Sequence, residues 1–138
     1  MSASLQVKLK WIRFQKWKDV LDSEDGKYEF PCVYVLAEKN GIPLYIGQAA
    51  TKRRYKNGKL WSGGLRARYN NAVAVLDASM SGTGRQIFIA EVEQKLARKI
   101  EKQLIYENKP EYNLIGKINP PKENIKMIHQ GTKPKLAS

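Results

Sequence analysis

The segment Cys32–Gly47 constrains the fold of this chain more than any other part of the sequence. Residues 32–37 are six consecutive apolar side chains rich in β-formers, which predicts a central strand buried on both faces. Asn40-Gly41 follows, and this dipeptide strongly favours a two-residue hairpin turn with positive φ at both positions. The return strand is therefore expected over residues 42–47.

The register of this hairpin places two tyrosines on one face of the sheet. A two-residue turn sets Tyr34 opposite Gly47 and Leu36 opposite Tyr45. The two phenols are then diagonal neighbours about 7–8 Å apart, and Gly47 leaves open space above Tyr34. Pro43 lacks an N–H to donate, so the return strand is expected at an edge of the sheet.

Helical and strand spacings predict the remaining elements. Apolar residues recur at helical spacing over 11–21, and again over 65–76 after Gly63-Gly64. A third strand is expected over 86–92 and a last helix over about 94–108, ending before Pro110. We therefore expect an α+β domain, a three-stranded antiparallel sheet in the order 2-1-3 with helices packed against it.

The positive charge of the chain is concentrated in two segments. The net charge is +12, from 25 Lys and Arg against 13 Asp and Glu. Residues 39–76 contain eight basic residues and no acidic one, and residues 114–138 contain five against one. This clustering predicts a nucleic-acid partner. Within the first of these segments, residues 51–61 mix cations with aromatic residues, which suits phosphate contacts, although the same composition also suits a solvated loop. The candidate substrate-binding residues in this segment are Lys52, Arg53, Arg54 and Lys56.

Length and composition suggest a single domain in the cytoplasm. The 138 residues fit one domain over 1–138, with residues 120–138 expected as a loosely held basic tail. Apolar runs are too short to span a membrane, and no secretory signal opens the sequence, so no membrane partner is expected. The single cysteine, Cys32, excludes an internal disulfide and agrees with a reducing, cytoplasmic environment.

Glu101 occupies an unusual position in the last predicted helix. On a helical projection it lies inside the apolar arc, whereas Lys95, Lys99 and Lys102 lie on the opposite side. A carboxylate there is costly unless it has a partner. That partner is either a metal ion or an arginine; Arg66 and Arg68, which border the apolar stripe of the preceding helix, are the candidates.

Five elements in order resemble one enzyme family. They are Cys32-Val33-Tyr34, Tyr45-Ile46-Gly47, Leu65-Arg66-Ala67-Arg68, Ile100–Ile105 with its Glu101, and Pro110-Glu111-Tyr112-Asn113. With this order and spacing over about residues 30–115, the chain resembles the GIY-YIG nuclease family. The resemblance implies a GIY-YIG nuclease-like fold and a metal-dependent DNA endonuclease that hydrolyses phosphodiester bonds.

The resemblance also implies roles for individual residues. Tyr34 or Tyr45 would be the general base, without a choice between them, and Arg68 would neutralise the phosphoryl oxygens. Glu101 would hold a single Mg²⁺ or Mn²⁺, and Asn113 would support the site. Gly47 and Arg66 are expected next to the substrate. The sequence departs from the family at Cys32, Val33, Gln48 and Ala72, and His129 lies outside the motif region.

Two further classes of function stay open at this stage. The first is a catalytically inactive nucleic-acid-binding module of the same fold, and the second is a basic protein–protein adaptor. The sequence contains no second domain to supply specificity, so the loop at 51–61, a dimer or a partner protein would have to do so. The DNA target and the oligomeric state are left open.

Overall fold

The computed structural model describes residues 5–14, 31–49, 53–54, 60–61, 86–113, 116–122 and 124–137, with backbone alone at 53–54 and 60–61. The elements in chain order are β1 (Leu5–Phe14), β2 (Cys32–Ala37), β3 (Pro43–Ala49), β4 (Arg53–Arg54), β5 (Leu60–Trp61), β6 (Gln86–Glu91), the helix α1 (Gln94–Asn108) and β7 (Ile125–Gly131). Within these residues, no helix combines the length and the apolar character that a membrane span requires.

A five-stranded mixed sheet forms the centre of the described structure. Its order is β3-β2-β6-β1-β7, and all neighbours are antiparallel except β1 and β7, which are parallel. The expected three-stranded antiparallel sheet with several packed helices is therefore wrong. The three predicted strands do lie side by side with β2 between β3 and β6, and α1 spans the predicted residues, but two unpredicted strands complete the sheet.

The first unpredicted strand, β1, lies where a helix was expected to begin. The helical spacing of Trp11 and Phe14 suggested a helix over 11–21, of which residues 15–21 lie outside the described part. Residues 11–14 instead continue a strand in which Leu9 and Trp11 are buried while Lys8 and Lys10 are exposed. This alternation with a period of two is the strand pattern, and burial of Trp11 in the sheet overrides the helical spacing.

The second unpredicted strand, β7, lies in the segment that was expected to be a loose tail. It pairs with β1 in parallel from Leu5–Ile125 to Trp11–Gly131. Ile125 is 2% exposed, so this strand is tied to the core by packing as well as by hydrogen bonds. Parallel strands are joined through distant chain segments, and local sequence therefore gives little sign of their pairing.

The hairpin turn between β2 and β3 is longer than predicted. The Glu38 carbonyl accepts from the Gly41 N–H at 2.8 Å, and the Glu38 N–H donates to the Ile42 carbonyl at 3.0 Å. This is a three-residue loop in which Gly41 has a φ of 91° and Asn40 does not adopt a positive φ. The two-residue turn is therefore wrong.

A bulge restores the predicted register farther along the hairpin. Pro43 pairs with Ala37, one position away from the expected alignment, and the register then shifts between Leu36 and Ala37. Beyond the shift, Leu36 pairs with Tyr45 and Tyr34 with Gly47, as predicted. The strand that contains Pro43 lies at the edge of the sheet, which is also as predicted.

The two faces of the sheet carry separate apolar clusters. Helix α1 covers one face, where its buried residues pack with Leu9, Trp11, Val33, Val35, Ile46, Phe88, Ala90 and Ile125. The opposite face carries Cys32, Tyr34, Leu36, Leu44, Ala49, Ile87 and Ile89, with Phe14, Tyr45 and Tyr112 packed against them. The strand alternation of β2 therefore sends its odd-numbered residues towards α1 and its even-numbered residues away from it.

Candidate functional site

The tyrosine pair is the part of the candidate site that the structure defines best. Tyr34 of β2 and Tyr45 of β3 lie on the same face of the sheet, with ring centroids 6.2 Å apart and an interplanar angle of 36°. The shared face is as predicted. Tyr34 is 2% exposed, whereas Tyr45 is half-buried at the edge.

The ring of Tyr34 leaves no room for a side chain at position 47, which explains the glycine there. The two residues are paired across β2 and β3, and the phenol ring of Tyr34 leans over the Gly47 backbone. A Cβ atom at position 47 would overlap Cζ and Oη of Tyr34. The sequence predicted open space beside Tyr34 at this glycine, and in the structure the phenol ring of Tyr34 fills that space.

Asn113 is buried and clamps the edge strand β3. Its Oδ1 accepts from the Ile46 N–H at 2.9 Å, and its Nδ2 donates to the Ile46 carbonyl at 2.9 Å. The Tyr112 N–H donates to the Leu44 carbonyl at 2.9 Å. Tyr112 and Asn113 therefore lie alongside β3, and Asn113 binds the residue between Tyr45 and Gly47.

Glu101 lies on the helix that supports the sheet from the other side. Helix α1 packs on the face that carries Val33 and Val35, opposite to the face of the tyrosine pair. Glu101 itself is half-buried, so its side chain is less enclosed than a position inside the apolar arc suggested. The sheet thus separates the helix that carries Glu101 from the two tyrosines.

The other predicted site residues are described only in part. Arg66, Arg68, Lys52 and Lys56 lie outside the described residues. Arg53 and Arg54 form β4, whose backbone pairs with β5 through Arg53–Trp61 and Arg54–Leu60. Two short segments of the basic loop are therefore paired as antiparallel strands.

A divalent cation can be assessed from the donor atoms on the described residues. Among these, no group of three or more His, Cys, Asp or Glu side chains is placed to hold a metal ion. A cation held as predicted would have Glu101 as its protein ligand, with water and phosphate oxygens completing the shell. The half-buried carboxylate fits such a site, because hard divalent cations prefer oxygen ligands.

Sequence reasoning missed a buried contact of the only histidine. The Trp11 Nε1–H donates to His129 Nδ1 at 2.9 Å, and the two rings stack with centroids 6.1 Å apart. Burial lowers the pKa of His129 from its ordinary value, and the charge of Lys133 lowers this pKa further. Among the described groups, Nε2 of His129 is buried without a hydrogen-bond partner. Local sequence gives no signal for this contact, because it depends on the long-range pairing of β7 with β1.

Sequence reasoning also missed a basic surface on β1 and β7. Exposed Lys8 and Lys10 flank the buried Leu9 in β1, and exposed Lys126 follows the buried Ile125 in β7. This surface was missed because residues 11–21 were interpreted as a helix and residues 120–138 as a loose tail. The alternation of apolar and polar residues is nevertheless visible in Leu5–Lys10.

Comparison with known proteins leaves the resemblance as it was. None of the protein-family models, curated proteins or solved structures compared with the chain matches it significantly.

Proposed function

We propose that this protein is a metal-dependent DNA endonuclease of the GIY-YIG type. The observation that carries the proposal is the tyrosine pair, in which Tyr34 and Tyr45 share one face with their rings 6.2 Å apart, and a Cβ atom at Gly47 would overlap the Tyr34 ring. In the proposed reaction, one of the two phenols takes a proton from the attacking water.

The other residues complete the proposed chemistry. Glu101 would hold the divalent cation, which supplies Lewis-acid stabilisation of the phosphoryl and leaving oxygens when bound. Because α1 packs on the face opposite to the tyrosines, this role requires the Glu101 carboxylate to reach the phosphate around the edge strand β3. Arg68 would neutralise the non-bridging oxygens through its fixed guanidinium fork. Asn113 would act as a positioning residue, because its carboxamide fixes Ile46 between Tyr45 and Gly47.

A second candidate function is a nucleic-acid-binding module of the same fold that does not cleave. The burial of Tyr34 favours it, since a phenol that is 2% exposed must become accessible before it can meet a water molecule and a phosphate. The net charge of +12 supports DNA binding under either proposal.

Incubation with supercoiled plasmid distinguishes the two functions. With Mg²⁺ or Mn²⁺, the endonuclease should convert supercoiled plasmid to nicked or linear DNA, and EDTA should stop the reaction. Tyr34→Phe and Tyr45→Phe, made separately, should show which phenol is needed. Tyr106→Phe is the matched control, because Tyr106 is also half-buried but lies on α1. Plasmid that stays supercoiled with either metal, while DNA binding is retained, would establish the binding module instead.

A further inference from the structure

One half of the sheet presents an exposed basic surface. Side chains of β1 and β7 that point away from α1 form it, and we call it the lysine face: Gln6, Lys8, Lys10, Ile12, Lys126, Ile128 and Gln130. Among the alternate residues of both strands, Leu9, Trp11 and Ile125 are buried in the cluster under α1, and Val7 and Met127 pack against it partly buried. All members of the lysine face are exposed except Ile128, which is half-buried.

The register of the two parallel strands distributes the lysines over both strands. Gln6 pairs with Lys126, Lys8 with Ile128 and Lys10 with Gln130. Lysines two positions apart on one strand lie about 6.5 Å apart, and the neighbouring strand lies about 4.8 Å away. Neither strand contains an acidic residue. The result is an array of ammonium groups separated by amides and two isoleucines.

The lysine face continues the face that carries the tyrosine pair. Tyr34 pairs with Ile89 of β6, and Ile89 pairs with Ile12 of β1, so the three residues lie in one row across the sheet. Two strand spacings separate the backbones of Tyr34 and Ile12, about 10 Å. Ile89 and Tyr34 are 0% and 2% exposed, so the lysine face and the tyrosine pair lie on the same side of the sheet but the residues between them are covered.

One carboxylate also belongs to this side of the sheet. Glu91 is exposed at the end of β6 and pairs with Cys32 of β2. Lys10 and Glu91 are the next residues beyond the last β1–β6 pair, Trp11–Ala90, so Glu91 adjoins the lysine face. Its charge opposes the binding of an anion there.

We propose that the lysine face binds the phosphate backbone of the DNA substrate, an inference that rests on the proposed function and adds a binding surface to it. Lysine and glutamine side chains supply charge and hydrogen bonds to phosphate oxygens. The lysine face has no aromatic side chain on which a base could stack, so its contacts are electrostatic and independent of base sequence. Duplex DNA is favoured over a membrane because the apolar part of the surface is limited to two isoleucines.

The test removes three charges from this surface and compares the variant with a matched control. The variant is Lys8→Gln, Lys10→Gln and Lys126→Gln, and the control is Lys95→Gln, Arg98→Gln and Lys102→Gln, which removes three exposed cations from α1 on the other side of the sheet. Affinity for a labelled duplex is measured by fluorescence anisotropy in EDTA over a range of salt concentrations. Circular dichroism and thermal melting confirm that both proteins fold.

The lysine-face variant should bind duplex DNA at least tenfold more weakly than the wild type at about 0.1 M salt. Its slope of log K against log[salt] should be shallower by about 2 to 3, because fewer counterions are released. The control should keep the slope of the wild type. Glu91→Gln should tighten binding, because it removes the opposing charge.

The outcomes separate this inference from the proposed nuclease activity. If the lysine-face variant loses DNA affinity, the control variant keeps it and the wild type never nicks plasmid, the results support the binding surface and refute the nuclease. A lysine-face variant with wild-type affinity and slope overturns the inference, even if the wild type cleaves DNA. The inference is also overturned if the variant loses binding to phosphatidylserine–phosphatidylcholine vesicles while its DNA affinity is unchanged.

Discussion

The Asn113 side chain satisfies both backbone groups of Ile46, accepting from its N–H and donating to its carbonyl at 2.9 Å each. A carboxamide has the same donor and acceptor as a peptide group, so Asn113 substitutes for a neighbouring strand at the edge of the sheet. The opposite edge uses the same device, since Gln103 accepts from the Ile125 N–H at 2.6 Å and donates to the Ile125 carbonyl. Asn113 thus satisfies the backbone hydrogen bonds of one residue on the edge strand β3, and Gln103 does the same on the edge strand β7.

Replacing Asn113 should destabilise the protein. Asn113→Ala leaves the buried N–H and carbonyl of Ile46 without this partner, which should cost about 2 to 4 kcal/mol in the free energy of unfolding. Urea denaturation measures this change. Asn119→Ala is the control, because Asn119 is exposed and its replacement should change stability by less than about 0.5 kcal/mol. A stable Asn113→Ala variant would show that water or another group replaces the clamp.

Gly47→Ala should destabilise the hairpin through Tyr34 alone. The new methyl group overlaps the phenol and should cost about 1 to 3 kcal/mol in unfolding free energy. In a Tyr34→Ala background the same substitution should cost almost nothing, because the overlapping ring is gone. A double-mutant cycle of urea denaturation curves measures the coupling. Equal costs in both backgrounds would assign the requirement for glycine to the backbone of β3 instead.

Glu101→Ala should separate a metal ligand from a structural ion pair. If Glu101 holds the divalent cation, the variant should fold, bind DNA at least as tightly as the wild type and cleave plasmid at least about 100-fold more slowly. Glu101→Gln, which keeps the shape but is a poorer ligand, should behave in the same way. Glu111→Ala is the control, since Glu111 is exposed outside the helix.

The opposite result has a different signature. If Glu101 pairs with an arginine to hold the fold, its removal should cost about 3 to 5 kcal/mol of stability. Thermal melting and cleavage per folded molecule should therefore be measured on the same preparation. Early melting combined with wild-type cleavage contradicts the metal assignment.

The stability of the protein should decrease as the pH falls below about 6.5, because the folded state holds His129 neutral. The pKa of His129 is lowered from 6.5 by burial and then by Lys133, so the unfolded chain binds the proton more readily. Its contribution to stability is therefore full above 6.5 and is lost as the pH falls from 6.5 towards the folded pKa. Protonation of Nδ1 would also remove the acceptor that Trp11 uses.

His129→Gln tests this effect, because glutamine can still accept from Trp11 but does not titrate. Urea denaturation at pH 7.5 and at about pH 5.5 should show a smaller loss of stability for the variant than for the wild type. Burial raises the pKa of Glu107 from 4.5, so this carboxyl stabilises the folded state more at low pH and acts in the opposite direction. Since Glu107 is present in both proteins, their difference isolates His129.

The sequence by itself determined the local elements that depend on neighbouring residues. The apolar run 32–37, the edge proline Pro43 and the helical spacing of 94–108 act over short distances, and β2, β3 and α1 form where these patterns predict them. The shared face of Tyr34 and Tyr45 followed from strand pairing alone. The turn was predicted less well, because Gly41 permits the three-residue loop as readily as the shorter turn.

Only the tertiary structure decided how the two ends of the described chain complete the sheet. The pairing of Leu5 with Ile125 joins residues that are distant in the sequence. The local sequence of either strand does not predict which strand it pairs with. The hydrogen bonds between Asn113 and Ile46 and between Trp11 and His129 also join residues far apart in the sequence, so local patterns could not predict them. Packing of Trp11 under α1 outweighed its helical spacing with Phe14, because burying a large apolar side chain stabilises the chain more than local helix propensity does.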